Sequence, residues 1–273
     1  MSKIMNTFKS NKKFALYTIF VVILLIIGII GPYITPHDVY KQVLIDAYQA
    51  PSSVHWCGTD QYGRDIFSRI IAGTRVTLYS ALLIVLISLI LGVFLGLIAG
   101  YAGGLIDSII MRFCDIMISF PDLILAMAIA SILGAGFLNA IIAICAVSWT
   151  KYARLARSLA LKIKYRDFIY AAEVAGSNQI QIMIRYLLPN TIPTMIVTAA
   201  NDIGTTMMGL SGLSFLGIGI VPPTPEWGAM LNEGRIFIQT YPWMIMLPGV
   251  AILICVAAFN LWSDKLRDVL DPS

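Results

Sequence analysis

The stretch 162–193, KIKYRDFIYAAEVAGSNQIQIMIRYLLPNTIP, decides how the rest of the chain is read. It is a polar and basic island between apolar runs. In a chain of 273 residues that is 58% hydrophobic and only 12% charged, an island of this kind must lie outside hydrocarbon. Tyr170, Ala171, Ala172 and Ala175 give a small-residue helical face, and Gly176 breaks it. Ile180, Ile182, Met183 and Ile184 start a second short helix, which Leu188-Pro189 is expected to stop. Two short helices meeting at a glycine form a compact foot.

Outward from the island, the flanking runs are of membrane-spanning length. A mean hydropathy of +0.82 is far too apolar for a soluble domain of this size to hide in one core. Runs of roughly 20 residues, or about 30 Å of helix, cross a bilayer, and helices satisfy their own backbone there. The expected architecture is all-α and polytopic, with six spans at about 14–32, 76–99, 109–133, 140–159, 191–212 and 243–262. The third is read as one helix carrying Arg112, Asp115, Pro121 and Asp122. Residues 33–75 form a mostly polar segment, and 214–242 form a Gly/Pro-rich connection.

The first run follows Lys3, Lys9, Lys12 and Lys13 but lacks an A-x-A site, so it reads as a retained signal-anchor helix. Most cations, including Lys151, Arg154, Arg157, Lys162, Lys164, Arg166, Arg185, Lys265 and Arg267, fall on one face; Lys41, Arg64, Arg69, Arg75 and Arg235 fall on the other. The positive-inside tendency then makes both termini and the island cytoplasmic. The division expected is a cytoplasmic N-terminus at 1–13, a first helix and extracytoplasmic segment at 14–75, a five-helix core at 76–262 containing the island, and a cytoplasmic tail at 263–273. Cations that flank apolar runs serve orientation, so the net charge of +4 does not imply nucleic acid as a partner.

Several motifs stand in order along the chain. The segment before the second span reads GTDQYGRDIFSR, whose Asp and Arg residues suit pairing and helix capping. Next come Gly100, Tyr101, Gly103, Gly104, Asp107, Met111, Arg112 and Asp115, then Leu213 to Gly219 and PPTPEWG at 222–228. Glycines and prolines in the last stretch preclude one straight helix, so a re-entrant or broken segment is expected on the outer side. These motifs resemble the permeases of dipeptide, oligopeptide and nickel ABC importers. The island resembles the signature E-A-A, three residues, Gly, nine residues, I-x-L-P of those permeases, with Tyr170 at the usual glutamate and Tyr186 at the usual isoleucine.

The resemblance implies a type I permease subunit in the bacterial cell membrane. Its implied partners are a homologous permease, two ATP-binding subunits and an extracytoplasmic substrate-binding protein. Tyr170, Ala171, Ala172, Gly176, Leu188 and Pro189 would then couple the subunit to the ATPase. The cargo would be short peptides, nickel or a metal chelate. A secondary ion-coupled transporter or a non-transporting membrane scaffold are the rival classes; the first should often show inverted repeats with broken helices in both halves.

Ionisable residues within spans usually face protein or water, so Asp115, Asp122, Asn201, Asp202 and Thr205 are candidates to line a pathway. A helix end near the interface, or interhelical hydrogen bonding, would also account for them. Cys57, Cys114, Cys145 and Cys255 show no CxxC spacing and read as small hydrophobes. His55 and Cys57, with His37 farther off, read as surface residues of an ordered loop, and no metal is assigned. The chain has no G-x-x-x-x-G-K-[ST], H-E-x-x-H or G-x-S-x-G, so neither a cofactor nor catalysis is expected of it.

Overall fold

The structure, a computed structural model, describes residues 12–270. Lys3, Lys9 and the closing Asp271-Pro272 lie outside the described residues. The long elements are α1 (Lys12–Ile34), α2 (Ile66–Ala102), α3 (Gly104–Ile118), α4 (Asp122–Leu133) and α5 (Phe137–Lys164). The island forms α6 (Asp167–Val174) and α7 (Gln179–Ile182) and leads into α8 (Leu188–Phe215). A short α9 (Trp227–Gly234) precedes α10 (Trp243–Leu270). No strand occurs among the described residues.

By length and composition α1, α2 and α10 are each sufficient to cross a membrane. The second span starts ten residues before its expected position, because Asp65 caps it: its Oδ2 accepts from the Ser68 N–H at 2.8 Å. The resulting helix has 37 residues, about 55 Å, so it outreaches a hydrocarbon core of about 30 Å. The third expected span is not one helix. α3 and α4 meet at a bend of 92°, at Ser119-Phe120-Pro121. Pro121 offers no N–H to the preceding turn and pushes Phe120 away from helical geometry, so the axis breaks there.

α2 and α5 form the central pair, and small residues set their distance. Gly92, Gly96 and Gly100 repeat every fourth position and line one stripe of α2. A Cβ placed on Gly92 would lie 2.5 Å from the Trp149 carbonyl oxygen, one on Gly96 2.7 Å from Ala156 Cβ, and one on Gly100 2.7 Å from Ala160 Cβ. Ala153, Ala156 and Ala160 are completely buried opposite them. Gly96→Leu is therefore expected to force the helices apart and cost about 1–3 kcal/mol or more, read as a lowered thermal midpoint in detergent. Leu97→Met, which conserves volume beside the same stripe, should change it little.

α1 runs antiparallel to α2, with Gly28 against Tyr79 and Gly31 against Ile71. Its start meets the end of α10, where Trp262 donates to Thr18 Oγ1 at 3.1 Å. Residues 35–65 and α9 cover the other end of the bundle. There Arg64 and Arg69, each 1% exposed, meet Asp60 and Glu233. Arg64 Nε binds Asp60 Oδ2 at 2.6 Å and its NH2 binds Glu233 Oε1 at 2.7 Å, while Arg69 NH2 binds Glu233 Oε2 at 3.2 Å. Two guanidinium groups and two carboxylates thus neutralise one another and fasten the loop, α2 and α9 together.

The Gly/Pro-rich connection is broken as expected, with α9 tucked between α2, α8 and α10. Glu226 caps α9, accepting from the Ala229 N–H at 2.7 Å, and also takes Ser211 Oγ at 3.2 Å and Thr77 Oγ1 at 3.3 Å. Burial pushes its carboxyl pKa up, while the Gly228 and Ala229 N–H groups and the Ser214 and Ser211 hydroxyls oppose the shift.

Candidate functional site

The island folds into a foot beneath the ends of α2 and α5. Ile169 of α6, Ile182 of α7 and Leu187 bury against Leu97 and Ala160, with Tyr101, Ile163 and Tyr186 packed around them. The two short helices turn at Gly176, whose φ of +86° is a left-handed conformation that suits glycine. Asn178 then opens α7 with a capping box: its side chain accepts from the Gln181 N–H, and the Gln181 side chain accepts from the Asn178 N–H.

Leu188-Pro189 does not stop the second helix. Met183–Leu187 form one π-helical turn, with the Leu188 N–H bonded to the Met183 carbonyl, and the chain continues straight into α8. Pro189 supplies no N–H to Arg185 and its ring crowds that carbonyl, which an ordinary α-turn would not tolerate; the widened turn takes up the mismatch. α7, the turn and α8 are thereby one mechanical element, which the residue pattern alone did not reveal.

The foot presents a partly apolar outer surface. Phe168 and Tyr170 are 44% and 49% exposed and Val174 is 90% exposed, while Ala171 and Gly176 are also open. Ala172, expected on the same surface, is buried at 6% exposure, because it occupies the inward face of α6 with Ile169, three residues before it. Leu188 is half-buried and Pro189 exposed. Tyr101 Oη donates to Glu173 Oε1 at 3.4 Å and Lys164 Nζ to the Tyr101 carbonyl at 2.6 Å, tying the foot region to the end of α2.

A second constellation lies in the bundle. A cavity of about 200 Å³ is lined by Asp122, Ser148, Lys151, Thr205 and Thr206 among apolar neighbours. Asp202 sits behind Lys151, whose Nζ is 2.7 Å from Asp202 Oδ2. Thr205 Oγ1 donates to the Asp202 carbonyl at 3.0 Å. Asn201 turns instead towards α10, accepting from Ser263 Oγ at 3.4 Å. Asp115 lies outside the cavity lining and faces Arg154 at 3.5 Å, with both side chains half-exposed.

Sequence reading missed the partners on α5. Lys151, Arg154 and Arg157 recur every third residue, and each meets a carboxylate: Asp202, Asp115 and Asp107. Arg157 holds Asp107 through both oxygens at 2.5 Å. The cations recur at helical spacing on α5, but their partners Asp107, Asp115 and Asp202 share no matching spacing and lie on two other helices, so the sequence reads the three only as orienting cations. Pairing offsets the cost of the more buried members, Asp202 and Asp107, while Asp115 and Arg154 are about half-exposed. His55 was also misplaced: it is buried at 8% exposure, with Nδ1 2.9 Å from Asp65 Oδ1.

Comparison with known proteins supplies the family. Residues 92–273 match the model of the binding-protein-dependent transport system inner membrane component, and residues 1–51 match the N-terminal TM domain of oligopeptide transport permease C. The chain is 43% identical over 271 residues to a dipeptide transport system permease protein of Haemophilus influenzae, covering 97% of this chain and 92% of that one. It is 40% identical over 269 residues to a nickel transport system permease protein of Escherichia coli K12, covering 98% and 97%. A glutathione transport system permease protein of Shigella flexneri is 43% identical over 255 residues, covering 93% and 84%. With an all-helical membrane bundle, a foot at one end and relatives of this kind over nearly its whole length, the chain belongs to the family of binding-protein-dependent transport system inner membrane components, as a permease and not an enzyme.

Proposed function

We propose that this permease receives mechanical work from a separate ATP-hydrolysing subunit through the foot, and converts it into alternating access of the cavity between α4, α5 and α8. The observation that carries the reading is the outer surface of α6: Phe168, Tyr170 and Val174 are exposed apolar or aromatic side chains on an element whose other face is fixed to α2 and α5. Apolar side chains in that position favour a protein partner over water. The π-turn supports the same reading, since displacement of α7 passes directly into α8, which carries Asp202 and Thr205.

In this proposal both termini and the foot are cytoplasmic, residues 35–65 and α9 are outside, and a homologous permease completes the pathway. Two ATP-binding subunits and an extracytoplasmic binding protein complete the importer. Asp122, Lys151, Asp202 and Thr205 contribute to the route, with Asp115 and Arg154 at its margin, while Asn201 faces α10 instead. The cargo is a short peptide, or nickel or its chelate, following the dipeptide, nickel and glutathione permeases to which the chain is similar. Nucleotide must favour one access state by about 5.5 kcal/mol to switch the population almost completely.

The test is a photo-crosslinking residue at Val174, with the chain in its native membrane. Capture of a nucleotide-hydrolysing neighbour is expected, and Val174→Asp should reduce ATP-driven uptake at an unchanged amount of chain in the membrane. Crosslinks that find no such neighbour, or labelling of position 174 by an impermeant reagent from outside, would overturn the proposal.

A further inference from the structure

We propose that His37, His55 and Asp65 form a binding site for one divalent transition cation, which fastens the segment 35–65 to the head of α2. One ligand atom from each of the three lies within 4.8 Å of the other two, and this is the one group of its kind among the described residues. The residues are distant in sequence and reach the site from separate directions. His37 follows α1, and its N–H donates to Ser68 Oγ at 3.2 Å. His55 is held by its own N–H donating to Ser52 Oγ at 3.1 Å. Asp65 is fixed as the cap of α2.

The geometry is close to what a metal requires. Ligands about 2.0–2.2 Å from a tetrahedral ion are roughly 3.4 Å apart. His55 Nδ1 and Asp65 Oδ1, at 2.9 Å, already stand near that separation, so an ion can take the place of the shared proton. The third ligand has to close by roughly 1.4 Å from the widest separation. His37 is free enough to do so: it is half-exposed, its ring centroid is 4.8 Å from that of His55, and its Nε2 contacts the Val54 carbonyl at 3.1 Å in an exposed setting. That exposure also provides the entry path. The ligands on the inner side are rigid, since His55 is 8% and Asp65 3% exposed and Asp65 Oδ2 is held by the Ser68 N–H.

Two imidazoles and a carboxylate select a borderline cation such as Zn²⁺, Ni²⁺ or Co²⁺ over Mg²⁺ or Ca²⁺, which prefer oxygen alone. Three protein ligands leave a position for water. This ion is a resident of the loop and separate from any cargo in the bundle, because the site stands on residues 37, 55 and 65 while the cavity is built on α4, α5 and α8.

The experiment uses the untagged full chain in lipid nanodiscs, stripped with chelator and titrated with zinc chloride and with nickel chloride alone. One ion per chain is expected by calorimetry, together with a raised melting temperature. His37→Ala should weaken binding about tenfold or more and abolish the thermal shift, while leaving the ion-free melting temperature near that of the parent, because His37 is half-exposed. Co²⁺ should give visible d–d absorption that His37→Ala removes. Absence of stoichiometric binding, or binding undiminished in His37→Ala, overturns the proposal and leaves the two rings as packing. Binding lost in Cys57→Ser but kept in His37→Ala places the ion on the thiol and overturns it equally.

Discussion

Glu233→Ala is expected to lower the stability of the folded chain by about 3–5 kcal/mol, the range for removing one partner from a buried ionic cluster. Glu233 hydrogen-bonds both Arg64 and Arg69, whereas Asp60 hydrogen-bonds Arg64 and stands 3.8 Å from Arg69, so loss of Glu233 leaves two guanidinium groups with Asp60 alone. Arg69 is the more vulnerable. Its nearest carboxylate is Glu233, at 3.2 Å, whereas Asp60 Oδ2 stands 3.8 Å from its Nε. The Arg69 guanidinium also donates to the Val39 and Pro223 carbonyls, at 3.1 and 3.2 Å, and these bonds join three segments that are far apart in sequence. Chemical or thermal unfolding in detergent measures the effect. Lys265→Ala, which removes an exposed pair with Asp268, should cause no measurable loss, and that contrast separates burial from mere loss of a salt bridge. A loss in Glu233→Ala no larger than in Lys265→Ala would show that the cluster does not hold this end of the bundle together.

Gly176→Pro is expected to abolish coupled uptake while the spans still insert. At φ +86° the backbone needs a left-handed residue, whereas proline is held near −65°. Proline also removes the Gly176 N–H, which donates to the Glu173 carbonyl at 2.9 Å, and disfavours the near-helical conformation of Ala175. No atom lies within 4 Å of the Cβ position, so side-chain bulk is not the obstacle. Gly176→Asn therefore provides the control: asparagine enters the left-handed region at modest cost and should keep most of the uptake. The measurements are ATP hydrolysis and cargo uptake by the assembled importer in proteoliposomes. Proline that uncouples hydrolysis from uptake, with asparagine close to the parent, ties transport to the shape of the foot. Normal coupled transport in Gly176→Pro would count against the foot as the entry point for work.

These effects arise at opposite ends of the bundle, and the sequence announced them unequally. The foot was legible because its signals are local: a helix-breaking glycine and short apolar faces are contained within a few residues. The arginine–carboxylate cluster was half legible. Asp60, Arg64 and Arg69 stand together in GTDQYGRDIFSR and were read as pairing residues, but Glu233 lies more than 160 positions away and carried no mark of its role. His37 stands well before His55 in the sequence and does not read as its partner, although the fold brings the rings to 4.8 Å.

The amino-acid sequence by itself determined that this is an all-helical membrane protein, where its apolar runs lie, and that residues 162–193 carry two short helices meeting at Gly176 between those runs. Hydrophobicity and backbone preferences act over one or two turns, so one chain segment suffices to read them. Only the tertiary structure decided that the third span bends by 92°, that the foot runs unbroken into α8, and that Lys151, Arg154 and Arg157 meet Asp202, Asp115 and Asp107. The bend at Pro121 and the π-turn ahead of Pro189 accommodate a proline in ways that the residue permits without dictating, while the charge pairs depend on the register of one helix against another. That register is set by the close approach of α2 to α5 at Gly92, Gly96 and Gly100, and it brings together charges carried by different helices, so no single segment expresses it.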